Sequence, residues 1–256
     1  MGACCAKAQP IGDLPDGVEC LERTPSEVKV ASNILANAFA GSAEHAPEAG
    51  FDWCLGDELQ GRGWDDPRRH DSINWVFRYV VENVFASGHG AVLVCRSDGS
   101  AIAGVAALKI YRSKPKDAMC ATVTTLRRAG LPSGAAEIFV SSPARPRMKA
   151  FEAGLEALHK AHTSGPHLYV WSVGVDRLAQ GQGVGGKLMR AVVSIADREG
   201  LPCYLETTGA RNPKIYEKFG FSVVGQTELR TKPKGGAAAE IFDQPYLAMV
   251  RARVHH

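Results

Sequence analysis

What this chain of 256 residues lacks already narrows its function. No apolar run approaches the ~20 residues that span a bilayer, which argues against an integral membrane protein. A net charge of +3, without a basic stripe interleaved with aromatics, argues against a nucleic-acid partner. The seven cysteines show no Cys-x-x-Cys spacing, and no secretion signal precedes them. That usage predicts reduced thiols in a cytoplasmic protein, with neither disulfides nor a metal site. No internal repeat and no low-complexity linker divides the chain. One α/β domain over 17–254 is therefore expected, behind an unstructured leader at 1–16.

The leader begins Met1-Gly2-Ala3-Cys4-Cys5-Ala6-Lys7. Gly2 with Cys4 and Cys5 has the form of a myristoylated, palmitoylated lipid anchor, which would tether an otherwise soluble protein to a membrane. Ala6 stands where Ser or Thr is preferred, so a plain disordered leader stays open beside it.

Farther on, hydrophobic periodicity is strong. Thr24-Pro25-Ser26-Glu27 is a capping box with proline at the first helical position, opening a helix with Val28, Ala31, Ile34, Leu35, Ala38 and Phe39 on one face. Asp66-Pro67 starts a second helix, ended by Gly88. Ala91 to Cys95 and Ala101 to Tyr111 read as a hairpin about Ser97-Asp98-Gly99-Ser100. Residues 113–145 are poorly legible, with one short helix suggested near Cys120 to Arg128. Pro146 to His162 is amphipathic, and its His159 and His162 read as packing residues. Strands follow at Leu168 to Val175, Cys203 to Thr207, Phe221 to Gly225 and Tyr246 to Arg251. A helix spans Val184 to Ala196, and a short one follows Asn212-Pro213.

Between the first of these strands and the helix lies Gln180-Gly181-Gln182-Gly183-Val184-Gly185-Gly186-Lys187. A helix that opens on glycines offers bare N–H groups and the positive end of its dipole to a phosphate. Three readings compete. Gly181-x-Gly183-x-x-Gly186, with Glu206 ending the next strand, fits a dinucleotide fingerprint and an NAD(P)-dependent oxidoreductase, but four residues separate strand from glycine. A phosphate-binding P-loop is a poor fit, because Leu188 replaces the magnesium-ligating Ser or Thr. In the third, the order Val173-Gly174-Val175-Asp176, Gln180-x-x-Gly183-x-Gly185, Leu205-Glu206-Thr207-Thr208, Arg211-Asn212 and Ile215-Tyr216-Glu217-Lys218-Phe219-Gly220-Phe221 resembles the GNAT superfamily of acyl-CoA N-acyltransferases. The closest likeness is to the small-molecule branch that includes puromycin N-acetyltransferase, over roughly 167–224.

That resemblance implies an α/β (α+β) GNAT fold: a mixed, mostly antiparallel sheet splayed at the acyl-CoA site and flanked by helices, with an extra helical insertion around 113–165. It implies acetyl transfer from acetyl-CoA to the primary amine of a small molecule by direct attack in a ternary complex, without metal. A CoA-binding module without turnover is the further alternative. By the same likeness the pyrophosphate sits on Gln180 to Gly186, with Lys187 as an optional charge and Asn212 nearby. Val173, Gly174 and Val175 pair with the pantetheine arm, and the Val175 N–H faces the oxyanion. Tyr216 stands where the family protonates the departing sulfur. Two expectations come from the residues themselves. Ile215 and Phe219 form the buried face of their helix and leave the Tyr216 hydroxyl free. Glu206, costly in an apolar strand, serves as the base or as a structural partner, with Glu137 and Asp176 as weaker candidates. Tyr169, Trp171 and Ser172 either line the acceptor pocket or belong to the core.

Overall fold

Thr24 ends an extended segment and caps α1 (Pro25–Ala40), its hydroxyl accepting the Glu27 N–H at 3.2 Å. The return half of the capping box is absent, because the Glu27 carboxylate bonds Arg96 across the surface instead. The computed structural model describes residues 11–43, 45–56, 59–60, 62–63, 65–97, 101–112, 124–126, 128–129, 144–232 and 238–254. Gly2, Cys4, Cys5, Glu137, the turn residues 98–100 and most of 113–143 lie outside them. Within the expected leader, the described residues Ile11 and Leu14 pack on the core, and Arg198 donates to the Asp13 carbonyl at 2.7 Å.

The remaining elements are β1 (Val18–Cys20), α2 (Ala49–Cys54), α3 (Pro67–Ser87), β2 (Gly90–Ser97), β3 (Ala101–Tyr111), α4 (Ala144–His162), β4 (His167–Val175), α5 (Val184–Arg198), β5 (Cys203–Thr207), α6 (Asn212–Glu217), β6 (Ser222–Thr227) and β7 (Tyr246–Arg251). β1 and α2 escape sequence reading, since three or six residues are too few to show a period. α3 begins and ends as its signals predict, with Asp66 capping two N–H groups and Gly88 in the left-handed region at φ 68°. Residues 124–126 and 128–129 are helical, in the segment where a short helix is suggested. No helix among the described residues is long and apolar enough to cross a membrane.

The strands form one seven-stranded sheet in the order β1-β2-β3-β4-β5-β7-β6. Every pair is antiparallel except β4 with β5. A doubly wound nucleotide-binding sheet is parallel through its core, so this topology disfavours the dinucleotide reading. α1, α3 and α4 cover one face, with α2 packed among them, and α5 covers the other. The mixed, mostly antiparallel sheet expected from the resemblance is therefore present. Buried Arg69 joins three of these helices: its guanidinium donates to Asp52 of α2 and to the Ala40 carbonyl ending α1, both at 2.8 Å.

Candidate active site

β4 and β5 are hydrogen-bonded partners for only two rungs, Leu168 with Cys203 and Tyr169 with Tyr204. Both strands continue, β4 to Val175 and β5 to Thr207, but they diverge. The gap opens into a cavity of about 1510 Å³ reaching from the glycine loop to the helices α1, α3 and α4. A bulge at Trp171 helps to shape it: Leu108 of β3 faces Val170 and Ala107 faces Ser172, so Trp171 is the extra residue. A single extra residue turns all later side chains to the opposite face. Val173 and Val175 accordingly pack toward α5, and Gly174 toward α1. A β-carbon at Gly174 would stand 3.2 Å from the Leu35 Cα, so the glycine serves a close helix approach rather than the bulge itself.

Backbone direction at this edge follows from one hydrogen bond. The Asp176 N–H donates to the Ala103 carbonyl of the neighbouring strand at 2.8 Å. Successive amides of a strand alternate sides, so the Val175 and Val173 N–H groups face away from β3 and into the gap.

After β4, Asp176 caps a 3-10 turn (Arg177–Ala179), accepting the Leu178 N–H at 2.9 Å. The turn accounts for the four residues separating strand from glycines. Gly181 and Gly183 adopt φ 78° and 80°, and a β-carbon on either would meet nothing within 4 Å. Gly183 caps α5 with no side chain, so the first-turn N–H groups of Val184, Gly185 and Gly186 have no protein acceptor among the described residues. Gln182 turns back, its amide donating to the Leu178 carbonyl at 2.8 Å, and Lys187 is exposed. An uncovered helix start with glycines in front is the geometry of an anion site.

Glu206 lies in the gap two residues beyond the last rung. Its Oε1 is buried without a hydrogen-bond partner, as is the Tyr204 hydroxyl. Burial raises its carboxyl pKa to about 7, and the neighbouring Tyr169 and Tyr204 phenols hold it from rising further. The alternative of Glu206 pairing with Arg211 is not seen.

Tyr216 lines the same cavity from α6, next to Asn212. The sequence argument for its free hydroxyl is corrected here. Ile215 is 38% exposed and faces the cavity, not the core. Instead Tyr216 packs edge-to-face on Phe221, with ring centroids 6.1 Å apart, and desolvation raises its phenol to about 12. Its hydroxyl nevertheless has no described hydrogen-bond partner. Asn212 is also not the helix cap that its sequence context predicts; it is the first helical residue, and its amide donates to the Thr208 carbonyl at 3.1 Å.

On the α4 side, groups that sequence reading leaves open or passes over form the wall or pack directly behind it. Tyr169 and Trp171 line the cavity together with Phe39, Phe51 and Phe151. Lys109 sits 3.8 Å over the Trp171 ring, its ammonium lowered to about 8 by burial. Glu48, the N-cap of α2, accepts the Phe51 N–H at 2.6 Å and the Tyr246 hydroxyl at 2.8 Å. No periodic signal marks Glu48; its only hint is an acidic residue preceding a short helix. His159, expected as packing, stacks on Tyr204 with centroids 4.7 Å apart. Among the described residues no cluster of His, Cys, Asp or Glu has the form of a metal site.

Comparison with known proteins agrees with this geometry. Residues 148–221 match the Acetyltransferase (GNAT) family. An uncharacterized N-acetyltransferase of Schizosaccharomyces pombe is 47% identical over 53 residues, which is 21% of this chain and 22% of that protein. The alignment thus spans about a fifth of that relative's length. Among solved structures, a histone acetyltransferase HPA2 and related acetyltransferase from Corynebacterium glutamicum superposes with a TM-score of 0.57 at 21% identity, over 93% of this chain and 97% of the other. The C-terminal condensation domain of Ebony, in complex with beta-alanyl-dopamine, gives 0.58 at 8% identity, over 91% and 98%. Arylalkylamine N-acetyltransferase 2 of Aedes aegypti gives 0.54 at 14%, over 92% and 97%. The solved structures share the fold, and the family match lies in residues 148–221.

Proposed function

We propose, from a chain with the fold and family segment of a GNAT acetyltransferase, that it moves an acetyl group from acetyl-CoA to the primary amine of a small molecule. The observation carrying this reading is the juxtaposition of parted strands with an uncovered glycine loop. The loop suits a diphosphate: Gly181 and Gly183 leave room for it, and the first amides of α5 point outward. The free edge of β4 at Val173 to Val175 suits an extended amide-bearing arm, which pairs with it as an added strand would. Gln180, Lys187 and Asn212 border this binding track.

The chemistry has three needs: a deprotonated amine, a stabilised oxyanion and a protonated leaving thiolate. Glu206, near pKa 7, takes a proton from the incoming ammonium. The amine nitrogen attacks the thioester carbon, and the Val175 N–H donates to the oxygen that gains charge. The oxyanion collapses, the C–S bond breaks and Tyr216 gives its hydroxyl proton to sulfur, while the second proton of the attacking nitrogen leaves through solvent and restores the Tyr216 phenol. A phenol near pKa 12 stays protonated at neutral pH, which an acid requires. No protein nucleophile is needed. Cys203 is buried, and that burial raises its thiol pKa. The finer likeness to the puromycin N-acetyltransferase branch rests on residues 167–224 alone.

The direct test is calorimetric titration with CoA and with NADH, followed by mass spectrometry of an amine panel incubated with acetyl-CoA. Micromolar CoA binding and acetylated amine support the reading. CoA binding without product would leave a binding module, and NADH binding without CoA binding would replace the reading altogether.

A further inference from the structure

Beyond the glycine loop and the gap, the cavity continues into a chamber whose lining groups differ sharply in character. Its apolar side is an aromatic cluster: Phe39 lies 4.6 Å from Phe77, Phe51 5.5 Å from Phe77, and Phe151 6.2 Å from Phe51. All four line the cavity. Such rings present large apolar area and favour edge-to-face or offset partners. Carboxylates stand beside them, Glu48 bonding the Phe51 N–H and Glu152 following Phe151 on α4. Glu206 offers a buried, unpartnered oxygen, and Glu48 lies on the other side of Tyr246, whose phenol is raised by both acids. Glu48 has a bond to each oxygen, yet an ionised carboxylate accepts about four, so lone pairs remain for a ligand. Glu152 of α4 adds a third acid. Among the described lining residues the basic ones are His45 and Arg211, and Arg211 lies beside Asn212, toward the phosphate track.

From this pairing of acids with rings we infer that the acceptor is a monoamine built on an aromatic body, its ammonium drawn in by Glu48 before it yields its proton to Glu206, and its ring held by the phenylalanine wall. The inference rests on the acetyl-transfer reading and deepens it. A carboxylate- or phosphate-bearing acceptor would meet repulsion from three acids. A polyamine, an aminoglycoside or a peptide N-terminus would press several charges or amides against rings that cannot hydrogen-bond them. One cation on an apolar body satisfies acids and rings at once. Glu48 acts here as an anchor for binding, while Glu206, nearer the parted strands, is left to take the proton.

Initial rates with acetyl-CoA test this on the wild-type protein, using tryptamine, phenethylamine, spermidine, kanamycin and a tripeptide as acceptors. The aromatic monoamines should exceed the others in kcat/KM by about 100-fold. Glu48→Gln keeps an oxygen for the Phe51 N–H and should raise KM for tryptamine about 10- to 100-fold, with KM for acetyl-CoA unchanged. A thermal melt establishes that this variant folds, and the wild-type panel needs no variant. Spermidine, kanamycin or the tripeptide as best substrate overturns the acceptor assignment while leaving acetyl transfer intact. An unchanged amine KM in a folded Glu48→Gln overturns the anchor. Turnover of none of the five despite CoA binding overturns both assignments, and absence of CoA binding instead removes the acetyl-transfer reading beneath them.

Discussion

Tyr169 and Tyr204 face one another across the last rung that joins β4 to β5, their rings 5.8 Å apart. The cavity opens where that rung ends. Below it the strands share backbone hydrogen bonds; above it each presents a free edge to the cavity. Because side chains two apart share a face, Tyr204 directs Glu206 to the same side as the Tyr169 ring. The carboxyl thereby lies in a low-dielectric gap with phenols as its nearest polar groups.

Glu206→Gln should lower kcat by about 10²- to 10⁴-fold if the carboxylate is the base. In the wild type, kcat/KM should climb with pH through an apparent pKa near 7, since burial raises the carboxyl and only its ionised form accepts a proton. The glutamine variant should lose that step. Tyr204→Phe removes a phenol that holds the carboxyl down, so the same step should move to higher pH. A pH–rate profile of the three proteins at saturating acetyl-CoA decides the matter; a step that persists in the glutamine variant places the base elsewhere.

Tyr216→Phe should cut kcat about 100-fold while leaving CoA affinity within a factor of about three. The ring's contact with Phe221 is preserved, so the loss would report the hydroxyl alone. Substituting a thioester whose thiol is more acidic should restore part of the rate, because a better leaving group needs less help from an acid. Equal defects with both thioesters would assign the hydroxyl to positioning instead.

Gly183→Val tests the anion site. At φ 80° a branched side chain is strained, and its bulk would enter space where nothing now lies within 4 Å. CoA affinity should weaken at least about tenfold, measured by calorimetry, with the melting temperature falling by a few degrees at most. Gly174→Ala is the contrasting variant. Its new methyl meets the backbone of α1, so the expected effect is on stability, with an order of 1–3 kcal/mol in chemical denaturation.

How much of this was legible beforehand varies with local physics. The segment from β4 to α6 reads well, because a strand, an uncapped glycine-led helix and a second strand each have a period long enough to recognise. The open glycine loop and the placing of Glu206 and Tyr216 on one cavity follow from it. The parting of the strands is a matter of which backbones pair, and no side-chain pattern encodes it directly. Inference from faces fails on α6, where six residues give Ile215 and Tyr216 no clear inside or outside. Asn212 looks like a cap, yet its amide has a nearer carbonyl in Thr208. The acceptor chamber is the least legible part. Phe39 and Phe151 have the spacing of core residues and are also its wall, while Phe51 and Glu48 owe their places to α2, too short to announce itself.

The imidazoles of His159 and His167 provide a last test, this time of stability. Their Nε2 atoms lie 2.8 Å apart, and His167 Nδ1 lies 2.8 Å from the Gly165 carbonyl. A carbonyl only accepts, so Nδ1 of His167 carries a proton. With both rings neutral, as their lowered pKa values make them near pH 7, His167 Nε2 is bare and His159 donates through Nε2. Adding a proton to His167 Nε2 would then set two N–H groups against each other. Burial lowers both pKa values, His159 to about 4, with the His167 ring and the Lys109 ammonium adding to the effect. The unfolded chain takes up a proton at each near 6.5, whereas the folded one resists. Stability should thus be full above about pH 7 and fall as the pH drops from 6.5 toward 4, by an order of 1–2 kcal/mol at pH 5 for His159 alone. Urea titrations of the wild type and of His159→Phe, which keeps the stack on Tyr204, measure it. The phenylalanine variant should show a flatter pH dependence over that window, and parallel curves for the two proteins would mean the pair is not the source of the acid sensitivity.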